Sequence, residues 1–145
     1  MMKTEEFVKL MTGHFDNKEQ FTEMKAAGKI FPYAQHVNTV CNDKINNIPE
    51  DFHGIFIVED KNTFSYDSMK NVDYIKLKKS EKFTPALYHE NGGVWEGGST
   101  SRFSPVMTFK LWERFSDSCL EVSESMEVNG KRTFGYDAPI IYKRV

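Results

Sequence analysis

Two glutamates break an otherwise apolar pattern, and they are the first candidates for chemistry. In "LEVSESMEV" (120–128), Leu120, Val122, Met126 and Val128 share one face of an alternating strand, and Glu124 falls on that same face. Glu59 ends "HGIFIVE" on the parity of Ile55 and Ile57. A carboxylate on an inward strand face is costly unless it is hydrogen-bonded, paired or solvated inside a cavity. Where it is tolerated, it can move a proton. Either both acids point inward and form a polar feature in an apolar interior, or a bulge turns Glu124 outward and Glu59 merely sits at a strand end.

The remaining candidates concern binding rather than nucleophilic chemistry. Fourteen per cent of the chain is Phe, Trp or Tyr, and Tyr33, Tyr88, Trp95, Trp112 and Tyr142 either line a pocket for a flat or hydrophobic ligand or are ordinary packing. Arg102, in "STSRFS", can pair with an inward acid or receive a ligand carboxylate. The four histidines, His14, His36, His53 and His89, are isolated, with no HxH, HxxxH or neighbouring Cys pair, so no metal or cofactor is expected. There is no GxSxG, and "GGVWEGGSTS" lacks the lysine and following helix of a phosphate loop. Its glycines suit a turn and a strand bend. Cys41 and Cys119 stand far apart and are expected to be reduced.

The elements that must position these residues read as a short helical opening followed by strands. Phe7, Leu10, Met11 and His14 follow the i, i+3, i+4, i+7 spacing of a helix with one buried stripe. Gly13 would end it, the turn-like "TGHFDN" would follow, and Asp16 or Asn17 would cap a second helix. After Gly28 the period falls to about two. "IFPYAQHVNTVCN" (30–42) and "FHGIFIVED" (52–60) are strand candidates, with "DKINNIPED" as the turn between them. From residue 83 the chain reads as hairpins. "NGG" separates "FTPALYHE" from "VWEGGSTSRF", and "PVMTFKLWERF" places Met107, Phe109, Leu111 and Phe115 on one face. "NG" at 129–130 fits a type I′ turn. About seven or eight mostly sequential antiparallel strands result. The expected fold is mainly β, a calycin- or lipocalin-like meander barrel, closed or open, with short N-terminal helices across one end or side.

Size and charge limit what this barrel can serve. The chain has 145 residues and a formal net charge of −2, which suits a single domain over 1–145 with a real core. It offers no general attraction to nucleic acid or to an anionic membrane, and "KLKK" (76–79) reads as a solvated surface. No apolar run reaches the ~18 residues of a membrane span, and "MMKTEEFVKL" has acids where a signal peptide needs an apolar stretch. A cytoplasmic protein is expected.

Several of these segments together resemble one family. "MTGHFDNKEQ" is similar to the opening of the CpcT/CpeT phycobiliprotein chromophore lyases, with Met11, Gly13, Phe15, Asp16, Asn17 and Gln20 in the matching places. "FPYAQHVNTV", "GIFIVED", "GGVWEGGSTSRF" and "NGKRTFGYDAPIIYKR" extend the resemblance over most of the chain. It implies a calyx-like barrel that binds a bilin, an open-chain tetrapyrrole, or a similar hydrophobic ligand, and assists its attachment to a cysteine of an acceptor protein. The alternative on the same fold is a non-catalytic carrier or sensor. By position, His36 and Glu59 fall on early strands lining the cavity, and Arg102 falls in a later family segment. Glu59 and Glu124 would transfer protons, and Tyr33, His36, Tyr88, Trp95, Arg102 and Trp112 would hold the ligand. Two departures stand out. Ser101 occupies the place of a family cysteine, and the stretch after "GIFIVED" is short where relatives carry extra strands. Such a shortened barrel would stay open or rest on a partner such as a second copy.

Overall fold

The computed structural model describes residues 3–61 and 63–145. The chain opens with α1 (Lys3–Met11), β1 (Gly13–Asp16) and α2 (Lys18–Ala26). β2 (Gln35–Val40), β3 (Ile45–Asn46), β4 (Ile57–Glu59) and β5 (Val72–Asp73) follow. The long hairpins are β6 (Leu87–Asn91), β7 (Val94–Arg102), β8 (Met107–Phe115) and β9 (Leu120–Val128), completed by β10 (Lys131–Phe134) and β11 (Ile140–Arg144).

Nine strands form one sheet in the order β4-β2-β1-β11-β9-β8-β7-β6, with β10 also on β9, and every pairing in it is antiparallel. The sheet curls into a half-barrel. β4 and β6 are its free edges, so the barrel is open. Between them, the described residues of 60–86 contribute β5, which pairs in parallel with β3, an isolated Lys61–Phe64 bridge and a short 3₁₀ turn.

The hairpins fold as the alternation dictates. Asn129 and Gly130 have φ of 52° and 78°, the type I′ turn expected of "NG", and Gly92–Gly93 does the same between β6 and β7. Within β7, a Cβ at Gly97 would lie 1.9 Å from the Leu87 carbonyl oxygen, and one at Gly98 would lie 2.0 Å from that of Leu111. Only glycine lets β6 and β8 close on β7 this tightly, which steepens the curl.

The opening differs from the expected helix–turn–helix. "GHFD" is a strand, not a turn, and His14 belongs to it rather than to the helical stripe. β1 is inserted between β2 and β11, so Phe15 lies opposite both His36 and Arg144 and becomes a buried core residue. The motif around it fastens helices to sheet. The Asn17 side chain, fully buried, donates to the Pro32 carbonyl and accepts from Ala34 N–H, both at 2.8 Å. Gln20 accepts from Ile141 N–H and donates to the Pro139 carbonyl, both at 2.9 Å. Asp16, not Asn17, supplies the side-chain acceptor for the start of α2, taking the Lys18 N–H. Arg144 lies over the Phe15 ring and donates to the carbonyls of Lys9 and Thr12, satisfying the end of α1.

The core occupies one end of the half-barrel. Phe15, Phe115, Leu120, Val122 and Tyr142 are buried there, and Phe7, Leu10 and Met11 of α1 close over them. Phe7 meets Tyr88, Trp95 and Phe115 with ring centroids 5.0–5.4 Å apart. The middle and far end of the concave face are left uncovered by the helix, and the candidate site lies there.

Candidate ligand-binding site

Strand register decides which side chains reach the concave face. Directly paired residues share a face, so Glu113 of β8, opposite Gly97 and Val122, points inward with Phe109, Leu111 and Phe115. Glu124 of β9 is opposite Leu111 and also faces in. On the other limb, Glu59 is opposite Asn38, and His36 lies two residues further along the same face of β2. The curl brings these limbs together around a cleft of about 380 Å³ lined by His36, Asn38, Ile55, Ile57, Glu59, Leu111, Glu113 and Glu124, among others.

The polar groups of the cleft pair with one another. His36 Nδ1 contacts the Glu59 carboxylate, and its Nε2 lies 3.1 Å from the Tyr142 hydroxyl. With Glu59 ionised, Nδ1 carries the donated proton, so Nε2 accepts from Tyr142 when the ring is neutral and donates to it when charged. Tyr88 donates to Glu113 at 2.5 Å. This bond spans β7 at Gly97, the residue in register with both partners, where any side chain would stand between them.

The two acids are pulled in opposite directions. The hydrogen bond from His36 holds the Glu59 carboxyl below the usual carboxylate range, against the opposing effect of partial burial. Burial pushes Glu113 upward. The Tyr88 hydrogen bond resists, and the neighbouring charges of Glu124 and Glu59 add to the rise while His36 opposes it. The Tyr88 phenol is raised well above its ordinary value by burial and by its bond to Glu113. Burial, with Glu124 and Glu59, pushes Tyr142 up to about 12. Carboxyls driven apart in this way suit an acid and a base within one site.

Next to the cleft lies an apolar trough of about 740 Å³. Leu111 and Glu124 line both spaces, and the two together make up the channel of the concave face. Phe83, Pro85, Ala86, Phe103, Phe109 and Met126 form its walls. Phe103 stacks on Phe109 at 5.8 Å, and Phe83 stands edge-on to both. Ser101 is fully buried beneath and accepts the Thr84 N–H at 2.9 Å, anchoring the loop that carries Phe83.

No family model, curated protein or solved structure matches the chain.

Of the residues singled out in the sequence, His36, Glu59 and Glu124 line the cleft, and Tyr88 reaches it through Glu113. Trp95 sits in the core beneath α1, its indole N–H buried with no hydrogen-bond partner among the described residues. Three others lie elsewhere. Tyr33 is exposed, packs on Phe21 and points its hydroxyl at Asp16. Arg102 is exposed on β7, off the concave parity. Trp112 lies on the convex face, in a shallow groove with Leu87, His89 and Tyr136. Glu113 was missed, although it breaks the apolar stripe of β8 just as Glu124 breaks that of β9. Among the described residues, no group of three or more His, Cys, Asp or Glu side chains is placed to hold a metal ion. Both cysteines are free, and burial raises the Cys41 thiol, which keeps it a poor nucleophile. No helix among the described residues is long and apolar enough to cross a membrane.

Proposed function

We propose that the half-barrel binds an elongated, largely apolar molecule bearing N–H donors or positive charge, of which an open-chain tetrapyrrole is the leading example. On this reading the chain acts as the CpcT/CpeT resemblance implies, holding a bilin in an extended conformation for attachment to a cysteine of an acceptor protein. The observation that supports the proposal is an aromatic trough that shares Leu111 and Glu124 with a cleft containing three carboxyl groups and one imidazole. Pyrrole N–H groups would meet acceptors in the cleft, and the hydrocarbon edges would lie against Phe83, Phe103, Phe109 and Met126. The acceptor's cysteine would be the nucleophile. Glu113 would supply a proton and Glu59 would take one, with Glu124 stabilising a protonated pigment.

A carrier on the same scaffold is the second reading. It is favoured by the way His36, Glu59, Tyr142, Glu113 and Tyr88 already satisfy one another, an arrangement that suits holding as well as reaction.

The test is to mix the protein with biliverdin or phycocyanobilin and follow absorbance and induced circular dichroism. The expected result is saturable binding with a red-shifted long-wavelength band, because carboxylates favour the protonated pigment. With an apo-phycobiliprotein present, a lyase raises the yield of covalent adduct, whereas a carrier changes only the free pigment's spectrum. A titration in which neither signal departs from that of pigment in buffer would remove the tetrapyrrole reading.

A further inference from the structure

Unlike charges line the two parts of the channel. The cleft holds Glu59, Glu113 and Glu124, and among the described residues no Lys or Arg lines it, although Lys61 stands close enough to act on Glu59. The segment "KLKKSEKF" (76–83), in which four lysines stand against one glutamate, borders the trough. Lys79 and Phe83 of this segment line the trough itself, and Lys79 is its one cationic lining residue among the described residues. It is exposed, and none of the ion pairs or side-chain hydrogen bonds among the described residues engages it. Three other cations near the sheet are committed or turned away, and Lys61 lies by Glu59 rather than along the trough. Arg144 holds the end of α1, Lys110 pairs with Glu127, and Arg102 lies off the concave face.

We propose that Lys79 receives a carboxylate of the bound molecule, so that the channel selects elongated acids and orients them with the acidic group at the rim. This rests on the reading that the channel binds a ligand, and it adds the polarity of that ligand. An acid pointing inward would face three carboxyl groups in a half-enclosed cleft and be repelled. Turned outward, it meets Lys79 at the end of an apolar wall whose length the rest of the molecule covers. The trough therefore discriminates by direction as well as by hydrophobicity.

The experiment compares each acid with its neutral ester. Biliverdin and its dimethyl ester form one pair, and the fluorescent fatty acid parinaric acid and its methyl ester form the other. Affinities are measured by absorbance or fluorescence titration at low salt for wild type, Lys79→Gln and Lys79→Arg. An exposed ion pair is worth up to about 1 kcal/mol, so wild type should prefer an acid over its ester by about five-fold. Lys79→Gln should abolish that preference without changing ester affinity, Lys79→Arg should keep it, and added salt should shrink it. Should biliverdin fail to bind while parinaric acid shows the Lys79-dependent preference, the tetrapyrrole reading falls and the Lys79 assignment stands. A biliverdin preference that survives Lys79→Gln keeps the tetrapyrrole reading and overturns the assignment. Absence of an acid preference in both pairs overturns it as well.

Discussion

Replacing Glu113 with Gln separates the electrostatic strain of the cleft from its packing. The side chain is inward-facing, largely removed from water, and shares its cleft with Glu59 and Glu124. Like charges about 4–8 Å apart repel by about 2–4 kcal/mol at an effective dielectric constant near 20. Against this, the Tyr88 hydroxyl donates to Glu113 at 2.5 Å. A hydrogen bond to a charged group is worth about 1.5–3 kcal/mol and one to a neutral amide about 1. Gln keeps the acceptor and removes the charge, so the net expectation is a gain of about 1 kcal/mol at pH 8. A carboxyl held above its ordinary value binds its proton more readily in the folded chain than in the unfolded one. Wild-type stability therefore falls as pH rises from the ordinary carboxylate range through the folded value, and the penalty is constant beyond it. The variant lacks this slope, so its advantage should vanish below the ordinary carboxylate value. Urea unfolding of both proteins at a series of pH values from 4 to 8 measures the difference directly. A wild-type-minus-variant difference that does not change with pH would refute the reasoning.

Three further outcomes follow from the same geometry. The Glu59 carboxyl, held low by His36, contributes stability that is present above the ordinary carboxylate value and lost as pH falls through the folded one. His36→Ala should return its NMR-detected titration toward the ordinary range. Phe7→Ala removes the ring that α1 inserts among Tyr88, Trp95 and Phe115, at a cost of about 3 kcal/mol. Hydrogen exchange should then quicken over residues 3–11 before it does in β8 and β9. Asn17→Ala leaves the Ala34 N–H and the Pro32 carbonyl without their buried partner, and should lower stability by about 2–4 kcal/mol in chemical denaturation.

The hairpin half of the molecule was legible because its signals are local. Strict alternation in "MTFKLWERF" and "LEVSESMEV" assigned faces correctly, and the paired positive-φ turns fixed the registers. Parity left the inward placement of Glu124 and Glu59 as one of two alternatives, and the strand registers select it. Parity also contained the warning about Trp112, which sits between Leu111 and Glu113 on the outward phase, and it contained Glu113 itself. The opening was less legible. "GHFD" has little strand propensity, and it becomes β1 because β2 and β11 offer edges on both sides, the latter supplied by residues about 130 positions away. Nothing near Asn17 or Gln20 in sequence announces that their amides grip Ala34 and Ile141. That the barrel fails to close was suggested by the short middle segment, and the unpaired edges of β4 and β6 agree with it.

The position of β11 has a consequence for how this chain comes to be folded. It is made after the other ten strands, yet it is the seam between the early ribbon of β4, β2 and β1 and the later hairpins. Until it is made, the early ribbon has no partner on its inner side, and Phe15 has no lid of Arg144. The amino-terminal third therefore completes its place in the sheet only after β11 is made, while β6 to β9 can zip locally as soon as each turn appears.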